Sequence, residues 1–362
     1  MHPNTLLTSI LSLSAACTAS PQNHGYGYGH GYSSPTTGLA KAMRENGRSF
    51  IGTAMKLRLD DTSELAIISN NADFNSITPE EDFKWALTEP GLGNYTFEKA
   101  DAIAEWVVEH GYQLHCHTLL WHNQLSDYVA KGNFSNATLI EYMKGHIQAV
   151  AGRYKGICTA WDVVNEGLEE NGTYRESVFY KTIGEAYIPF AFKFAHHADP
   201  HAKLFYNDYN LESAGDKWLG AQRIVKLVRE YGGKIHGVGL QAHLTCEESN
   251  PAPNQTTLVK ALEGLTALDV DVTYSEVDVR MKTPSTPEKL QTQAEVYERV
   301  AASCMEVKRC IGMTTWGVSD KYSWIPSTFP GEGTGDMWDE NYQKKPAYDG
   351  FLKGIQSAQG YY

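Results

Sequence analysis

Two glutamates lie in apolar runs that are far apart along the chain. Glu166 is the last residue of the run 161–166, and Glu276 lies within the run 270–279. A carboxyl group at the end of a buried strand is poorly solvated, which favours the protonated form that a general acid needs. Because side chains alternate along a strand, Asp278 shares a face with Glu276. Two carboxylates on separate strand ends are the minimum that hydrolysis of a glycosidic bond requires.

Either glutamate alone would more simply cap a strand or pair with a lysine, so the residues that accompany them matter. Polar and aromatic side chains follow nearly every other strand-like run. They are Glu80 and Lys84, His117 and Trp121, Asn165, Tyr209, Gln241 and His243, and Trp316 and Trp324. Amides, a lysine and tryptophans at six converging strand ends are typical of a groove that binds a sugar.

Strand-like and helical runs alternate from Gly38 onward. The predicted strands are residues 49–55, 72–77, 112–119, 159–166, 203–208, 236–243, 270–279 and 311–317, with helices that include 97–110, 216–231 and 288–308. Alternation of this kind indicates parallel strands with crossover helices, and eight such units predict a closed (β/α)8 TIM barrel. No break in composition follows Gly38, so we expect one catalytic domain over residues 38–362.

The composition excludes some classes of partner. The chain has 362 residues, a formal net charge of −12 and an aromatic content of 11%. An acidic protein rich in Tyr and Trp is a poor match for nucleic acid or an anionic membrane, and it suits a neutral ligand that stacks on rings. No set of Cys and His residues has the spacing of a zinc site.

The N-terminal residues predict export. Residues 6–20 are apolar or small, as in a secretory signal peptide, so we expect residues 1–19 to be removed and 20–37 to form a flexible leader rich in Gly, Tyr and His. No later run is long and apolar enough to span a bilayer. Acceptor sites for N-glycosylation occur at Asn94, Asn133, Asn136, Asn171 and Asn254. We therefore expect a secreted glycoprotein, and a monomer.

Five cysteines remain after Cys17 is removed with the signal peptide. Cys304 and Cys310 lie close together before a predicted strand, and we pair them in a disulfide. Cys116, Cys158 and Cys246 cannot all pair with one another. At least one of the three should therefore be a free, buried thiol.

The strings around the strand ends resemble glycoside hydrolase family 10, whose best-known members are endo-β-1,4-xylanases. The matching strings are WDVVNE at 161–166, YNDYN at 206–210, GVGLQAHL at 237–244, SEVDV at 275–279, WGVSDKYSW at 316–324 and WDENYQKKPAY at 338–348. The resemblance covers essentially residues 38–352. It implies a (β/α)8 barrel that acts on a β-linked polysaccharide or on a plant glycoside that carries an oligosaccharide.

The resemblance also implies roles. Glu166 would be the acid/base and Glu276 the nucleophile of a retaining double displacement that needs no metal and no organic cofactor. Asn165 would bind the sugar 2-hydroxyl, Gln241 would lie between the carboxylates, and His243 and Asp278 would hold the charge and orientation of Glu276. The other implied sugar-binding residues are Glu80, Lys84, His117, Trp121 and Trp316 towards the glycone, and Tyr209 and Trp324 towards the other side.

Some positions depart from the family pattern while the two glutamates are kept. Glu81 stands where the family usually has Asn, and a carboxylate accepts hydrogen bonds but does not donate them unless it is protonated. His115 and Cys116 replace a usual Arg-Gly, and residues 334–337 are unusually polar. These changes leave two alternatives open beside a xylanase. One is a tomatinase-like glycosidase that removes the sugar chain of the saponin α-tomatine, and the other is a non-catalytic polysaccharide-binding or effector protein.

Overall fold

The computed structural model describes residues 37–357, so the predicted signal peptide and all but the last residue of the leader lie outside the described residues. Eight parallel strands of the described part close into a barrel with helices between them, which confirms the predicted fold class. Residues 37–357 contain ten strands, of which eight form the barrel. They are β1 (Phe50–Met55), β2 (Ser76–Pro79), β3 (Gln113–Trp121), β4 (Cys158–Asn165), β5 (Lys203–Asp208), β6 (Gly237–Leu240), β7 (His243–Thr245), β8 (Asp271–Lys282), β9 (Cys310–Thr315) and β10 (Glu332–Gly333).

The barrel strands follow the order β1-β2-β3-β4-β5-β6-β8-β9, and β9 pairs with β1 to close the circle. The two remaining strands extend β8 beyond the barrel wall, with β7 parallel to it and β10 antiparallel to it. In this extension His243 of β7 lies directly opposite Asp278 of β8. The long β8 therefore brings two of the predicted site residues together beyond the end of the barrel.

Helices cover the outside of the barrel. They are α1 (Leu39–Glu45), α2 (Thr62–Ile68), α3 (Trp85–Thr88), α4 (Glu98–His110), α5 (Asp127–Ala130), α6 (Asn136–Arg153), α7 (Val178–Ile183), α8 (Tyr187–Ala198), α9 (Asp216–Glu230), α10 (Gln255–Thr266), α11 (Pro287–Glu306), α12 (Ile325–Thr328) and α13 (Pro346–Gln356), with a short 3-10 turn at Asp320–Tyr322. Within residues 37–357, no helix has the length and apolar character needed to cross a membrane.

The helix α4 illustrates why these residues form these elements. Its buried side chains include Ala100, Ile103, Ala104 and Val107, which recur at the three- and four-residue spacing of one helix face. The helix ends at Gly111, whose φ of 68° is the left-handed conformation that glycine adopts without steric cost. By contrast, all six residues of β1 are buried, as expected of a parallel strand covered on both sides.

Most strand boundaries differ from the prediction by one to four residues, and two of the differences have a cause that the structure shows. The second strand begins at Ser76 rather than at residue 72, because residues 70–73 form a turn in which the Asn70 side chain accepts from the Ala72 amide and donates to Asp73. The sixth strand ends at Leu240 rather than continuing to His243. Ala242 has a φ of 58°, which breaks the strand and re-aims the chain so that His243 pairs with β8.

The cysteines form two disulfides in the described residues. Cys304 and Cys310 pair as predicted. Cys116 of β3 pairs with Cys158 of β4, a pairing that the sequence left open. The two residues are 42 positions apart, and only the pairing of β3 with β4 brings their Cα atoms to 5.8 Å. Cys246 keeps a free, half-buried thiol.

Candidate active site

A cavity of about 650 Å³ opens where the carboxyl ends of the strands meet, and we call it the carboxyl-end cavity. Every predicted site residue except Asp278 lines it, and Asp278 lies directly behind His243. The lining residues are Glu80, Glu81, Lys84, His117, Trp121, Asn123, Gln124, Asn165, Glu166, Tyr209, Asn210, Gln241, His243, Glu276, Arg280, Trp316, Trp324, Ser327, Thr328 and Phe329. The structure therefore brings the predicted residues together around one cavity.

Glu166 follows the last residue of β4 and has a φ of 54°. This left-handed conformation is unusual for a residue that carries a side chain, and the surroundings hold it in place. The Glu166 amide donates to the Asn207 carbonyl at 2.9 Å, and the Glu166 carbonyl accepts from Arg175 Nε at 2.9 Å. The turn leaves the carboxyl group of Glu166 partly exposed in the cavity, with 13% of its side chain accessible.

Three amide side chains connect the two glutamates. Gln241 Nε2 donates to Glu166 Oε1 at 3.1 Å and to Asn165 Oδ1 at 3.2 Å. Asn207 Nδ2 donates to the same Asn165 oxygen at 3.0 Å and to Glu276 Oε1 at 2.7 Å. The backbone carbonyl of Gln241 also accepts from the Glu276 amide at 3.0 Å. Gln241 thus contacts both glutamates, which fits its predicted place between them.

Glu276 is held by a second set of bonds on its other oxygen. His243 Nε2 lies 3.1 Å from Glu276 Oε2, and His243 Nδ1 lies 2.8 Å from Asp278 Oδ2. Burial opposes a charge on His243, but Asp278 and Glu276 outweigh it and raise the pKa of His243 to about 10. A cationic His243 donates from both ring nitrogens, so each oxygen of Glu276 accepts from a fixed donor. Trp324 Nε1 donates to Asp278 at 2.8 Å and fixes that carboxylate in turn.

Charged side chains from the loop after β2 line another part of the cavity. Lys84 is almost fully buried, and its Nζ lies 4.8 Å from the centre of the Trp121 ring. Burial lowers the pKa of Lys84, although the nearby Glu276 and Glu81 carboxylates work against this shift. Burial likewise raises the pKa of Glu80. The cavity therefore offers a cation, a carboxyl group and an indole ring within reach of one bound molecule.

Glu81 enters the same part of the cavity as an ionised group. Burial would raise the pKa of Glu81, but its bond to Lys56 Nζ, at 3.1 Å, and the charges of Lys56 and Lys84 lower it. The ionised carboxylate offers only acceptors to a ligand, as expected from the sequence.

Three residues near the glutamates had not been assigned a role from the sequence. Asn207 lies within the YNDYN string at the end of β5, where its position was the only signal. His122 Nδ1 lies 3.8 Å from Glu166 Oε2, and burial lowers the pKa of His122. Arg175 bonds to the Glu166 carbonyl and to the Tyr209 hydroxyl at 2.9 Å, and it comes from a loop with no sequence signal.

A second cavity, of about 530 Å³, lies where the amino ends of the strands meet, and we call it the amino-end cavity. It is lined by Ser49, Phe50, Ser76, Gln113, His115, Gly156, Cys158, Thr159, Ala160, His201, Lys203, Phe205 and Ile311. None of these lining residues, all within the described part of the chain, is an aspartate or a glutamate. Nor does any cluster of three or more His, Cys, Asp and Glu in residues 37–357 suit a metal ion.

The five predicted glycosylation sites, Asn94, Asn133, Asn136, Asn171 and Asn254, are all exposed. Asn254 also caps α10, because its Oδ1 accepts from the Thr257 amide at 2.9 Å. The Nδ2 atom, to which a glycan would be attached, does not take part in that cap. Exposure makes these asparagines accessible to modification, and the degree of occupancy stays a prediction.

The chain is similar to known proteins over nearly all of its described length. A family model described as Glycosyl hydrolase family 10 matches residues 38–354. An endo-1,4-beta-xylanase 2 of Aureobasidium pullulans is 53% identical over 99% of both chains, and an endo-1,4-beta-xylanase A of Fusarium oxysporum f. sp. lycopersici is 52% identical over 88% of this chain and 98% of its own. Among solved structures, a xylanase from Bispora with xylobiose has a TM-score of 0.85 at 34% identity, covering 88% of this chain and 99% of that one.

Proposed function

This chain belongs to glycosyl hydrolase family 10, and from that premise we propose that it is an endo-1,4-β-xylanase, which cleaves xylan within the chain. Three fungal relatives that are 51–53% identical to this chain, over most of their own length, are named endo-1,4-beta-xylanases. A structural relative at 34% identity binds xylobiose, the disaccharide of this substrate class. We infer that the carboxyl-end cavity takes a run of neutral β-linked sugars.

The observation that carries this proposal is the hydrogen-bonded connection between Glu166 and Glu276. Through Gln241, Asn165 and Asn207, the two carboxyl groups belong to one network that opens on one cavity. Retaining hydrolysis needs two carboxyl groups about 5–5.5 Å apart, with unlike roles. The surroundings of the two groups are unlike, because Glu276 accepts from a cationic histidine and Glu166 does not.

In the first step, a Glu276 oxygen attacks the anomeric carbon while the bond from that carbon to the glycosidic oxygen breaks. Glu166 gives its proton to the leaving oxygen, so the shortened sugar chain departs as a neutral alcohol. Asn207 and His243 hold the Glu276 carboxylate in place for the attack. Asn165, bonded at 3.0 Å to Asn207, has the position to bind the sugar 2-hydroxyl beside the reacting carbon.

In the second step, water attacks the anomeric carbon of the glycosyl–Glu276 ester, and Glu166 takes the proton of that water. The ester bond breaks, Glu276 leaves as a carboxylate, and two inversions together retain the anomeric configuration. Both steps use the same two carboxyl groups, so neither metal nor organic cofactor enters the scheme. Glu80, Lys84, His117, Trp121 and Trp316 would bind the glycone, and Tyr209 and Trp324 the other side.

We further propose that the enzyme is secreted as a monomeric glycoprotein. Residues 1–19 would be the signal peptide, 20–37 a leader rich in Gly, Tyr and His, and 38–362 the catalytic domain. Two disulfides and five exposed acceptor asparagines support passage through an oxidising compartment. Sequencing of the protein from culture medium should find an N-terminus near residue 20, and endoglycosidase treatment should lower its mass.

The test of the function is a product profile of the purified enzyme on xylan beside α-tomatine. Cleavage of xylan to short oligosaccharides of mixed length supports the proposal. Proton NMR during the first turnovers should show the β-anomer before it mutarotates, as retention requires. No activity on xylan, or an initial α-anomer, would contradict it.

One observation favours the saponin glycosidase as a second candidate. Glu81 places an ionised carboxylate in the carboxyl-end cavity, beside Lys56 and Lys84, where a xylanase of this family would usually have an amide donor. The variant Glu81→Asn restores that donor and should lower KM for xylan several-fold if Glu81 alters the choice of sugar. An unchanged KM would clear Glu81 of this role, and Glu81→Leu, which removes the charge without supplying a donor, serves as the matched control for loss of charge.

A further inference from the structure

The aromatic ring of Tyr209 rests on a buried ammonium group. Lys217 Nζ lies 3.1 Å from the centre of the ring, and a separation this short is possible only above the plane of the ring, because an approach within the plane would collide with the ring atoms. Lys217 is 2% exposed, whereas Tyr209 is partly exposed and lines the carboxyl-end cavity. The ring therefore has a buried cation behind it and the cavity in front of it.

Three segments of the chain bring these groups together. Asp208 ends β5 and Tyr209 follows it directly, with the Tyr209 amide donating to Asp208 Oδ1 at 2.9 Å. Lys217 is the second residue of α9, and its Nζ lies 2.9 Å from the same oxygen of Asp208. Glu170, from the loop after β4, places its Oε1 3.1 Å from that Nζ. The cation is thus fixed by two carboxyl groups at the place where it meets the ring.

Lys217 keeps its charge although the side chain is buried. Burial opposes the charge, but Asp208 outweighs burial, with Tyr209 and Glu170 adding to its effect, and the pKa of Lys217 is raised. A cation in the first turn of a helix faces the positive end of the helix dipole, so a lysine at this position is unfavourable for α9 itself. The contacts outside the helix account for its presence there.

The hydroxyl group of Tyr209 is held as well. Arg175 Nη2 donates to this hydroxyl at 2.9 Å, and Arg175 Nε donates to the Glu166 carbonyl at 2.9 Å. The same guanidinium therefore ties the ring to the backbone of the proposed acid/base. With one face on Lys217 and its hydroxyl on Arg175, the ring has little freedom to turn.

We propose that Lys217 is a positioning residue for the sugar on the leaving-group side of the bond that is cleaved. A cation against an aromatic face is attracted by the ring quadrupole and fixes where the ring lies. Lys217 thereby holds the Tyr209 ring so that the part facing the cavity packs against that sugar. The place of Tyr209 on the leaving-group side belongs to the proposed function, so this proposal rests on it, whereas the contact between Lys217 and the ring does not.

The experiment compares two substrates of the full-length enzyme that share the transferred group. Xylotetraose cleaved at its central bond transfers a xylobiosyl group, as β-xylobiosyl fluoride does, but only xylotetraose has sugars in the leaving group. Lys217→Met keeps an unbranched side chain of similar length and removes the charge. We expect kcat/KM for xylotetraose to fall about tenfold and kcat/KM for the fluoride to change less than about twofold. A misfolded fraction would lower both values equally.

The matched control is Lys226→Met, which removes an exposed lysine from the same helix and should change neither value. A double-mutant cycle with Tyr209→Leu shows whether Lys217 acts through the ring. In the Tyr209→Leu background, Lys217→Met should cause no further loss on xylotetraose. Equal losses on the two substrates, no loss on xylotetraose, or an undiminished effect in that background would overturn the proposal.

Loss of Lys217 need not leave an unpaired charge in the fold. Burial raises the pKa of Asp208 to about 7, although Lys217 and Tyr206 oppose the rise, so the carboxyl group of Asp208 can take up a proton. If Lys217→Met does not fold, the double variant with Asp208→Asn removes both charges of the pair, and Asp208→Asn alone is its reference. The double variant should show the same difference between the two substrates, and equal losses would again overturn the proposal.

A measurement of the contact itself needs no activity. Protons above an aromatic ring are shifted upfield, so NMR of protein with carbon-13-labelled lysine should show this shift for the Cε protons of Lys217. Tyr209→Leu should abolish it, and a Lys217 signal at the ordinary position in the unaltered protein would overturn the proposal. An enzyme that cleaves neither substrate would instead contradict the proposed function, while the NMR result would still decide the contact.

Discussion

The two ends of the barrel hold cavities of similar volume, about 650 Å³ at the carboxyl ends of the strands and about 530 Å³ at the amino ends. Their side chains differ. The carboxyl-end cavity is lined by Glu166, Glu276, Lys84 and several aromatic rings, and the amino-end cavity has no acidic lining residue in the described chain. Volume alone would not tell the two ends apart. Because, of these two cavities, only the carboxyl-end cavity has paired carboxyl groups with fixed donors, we propose that the reaction takes place there, and we call this end the reactive end.

The two ends also differ in how the chain is held. Both disulfides lie at the amino ends of strands, where Cys158 begins β4 and Cys310 begins β9. At the carboxyl end, Glu166 has a left-handed backbone conformation, and both oxygens of the buried Asp336 lack a hydrogen-bond partner within the described structure. Barrels of this type commonly keep stability at one end and function at the other. This chain concentrates cross-links at the first end, and a left-handed backbone conformation and an unpartnered buried carboxyl group at the second.

The largest effect should come from Glu276→Gln, which removes the nucleophile at the reactive end. We expect kcat on xylan to fall by about 10⁴-fold or more, as when other enzymes lose their nucleophile. The midpoint of urea unfolding should change little, because glutamine keeps the size of the side chain. The control is Glu263→Gln, an exposed carboxylate on α10. Retention of more than a few per cent of the activity would show that the reactive end has been misassigned.

Glu166→Gln tests whether Glu166 and Glu276 have different roles at the reactive end. Hydrolysis of xylan should slow by about 10² to 10⁴-fold, because its leaving group needs a proton. An aryl xyloside with an acidic phenol as leaving group departs without that proton, so its glycosylation step should be nearly unaffected. Parallel assays on the two substrates measure the difference. Equal loss on both would argue against Glu166 as the acid.

Cross-links at the amino end should affect stability and leave activity intact. Replacing Cys116 and Cys158 together by alanine opens a loop of 42 positions, and loop entropy predicts a loss of about 4 kcal/mol in the free energy of unfolding. The same replacement of Cys304 and Cys310, only 6 positions apart, should cost about 2 kcal/mol. Urea unfolding and xylan assays on both variants test this. A fall in kcat without a fall in stability would contradict the claim that the amino end serves stability and the carboxyl end activity.

The sequence indicated which side chains would line the carboxyl-end cavity, partly from residue types at the ends of apolar runs and partly from resemblance to the family, and the catalytic roles of these side chains stay predictions. Glu166 ends one apolar run, and Glu276 and Asp278 lie two residues apart in another. Acidic residues at these positions of predicted strands are visible in the sequence without coordinates. The second strand was placed too early because the turn at residues 70–73 depends on side-chain bonds of Asn70 that no periodicity reveals.

Contacts between distant parts of the chain were beyond the sequence. Arg175 donates to the Tyr209 hydroxyl, which lies 34 positions away along the chain, as well as to the Glu166 carbonyl. The partner of Cys116 was open for the same reason, since Cys158 approaches it only after β3 and β4 have paired. Pattern identifies what a residue can do, and tertiary structure decides which residue it meets.

An effect that depends on pH concerns the polar stretch 334–337 at the carboxyl end. Asp336 is 1% exposed, and burial, with the charge of Asp320 adding to it, raises its pKa well above the usual value. The folded protein therefore holds a proton on Asp336 that the unfolded chain releases above about pH 4. Stability is fully present below that pH and is lost as the pH rises towards the pKa of the folded state.

The variant Asp336→Asn has no carboxyl group to ionise at this site, so it should lack this part of the pH dependence. Its free energy of unfolding should match that of the unaltered protein near pH 4 and exceed it increasingly as the pH rises, by at most about 1.4 kcal/mol per pH unit. Urea unfolding at several pH values measures the difference, and Asp60→Asn, an exposed carboxylate, is the control. Parallel pH curves for Asp336→Asn and the unaltered protein would mean that Asp336 is ionised in the fold. Asp336 would then not be an unfavourable group, and the comparison of the two ends would lose one of the observations that support it.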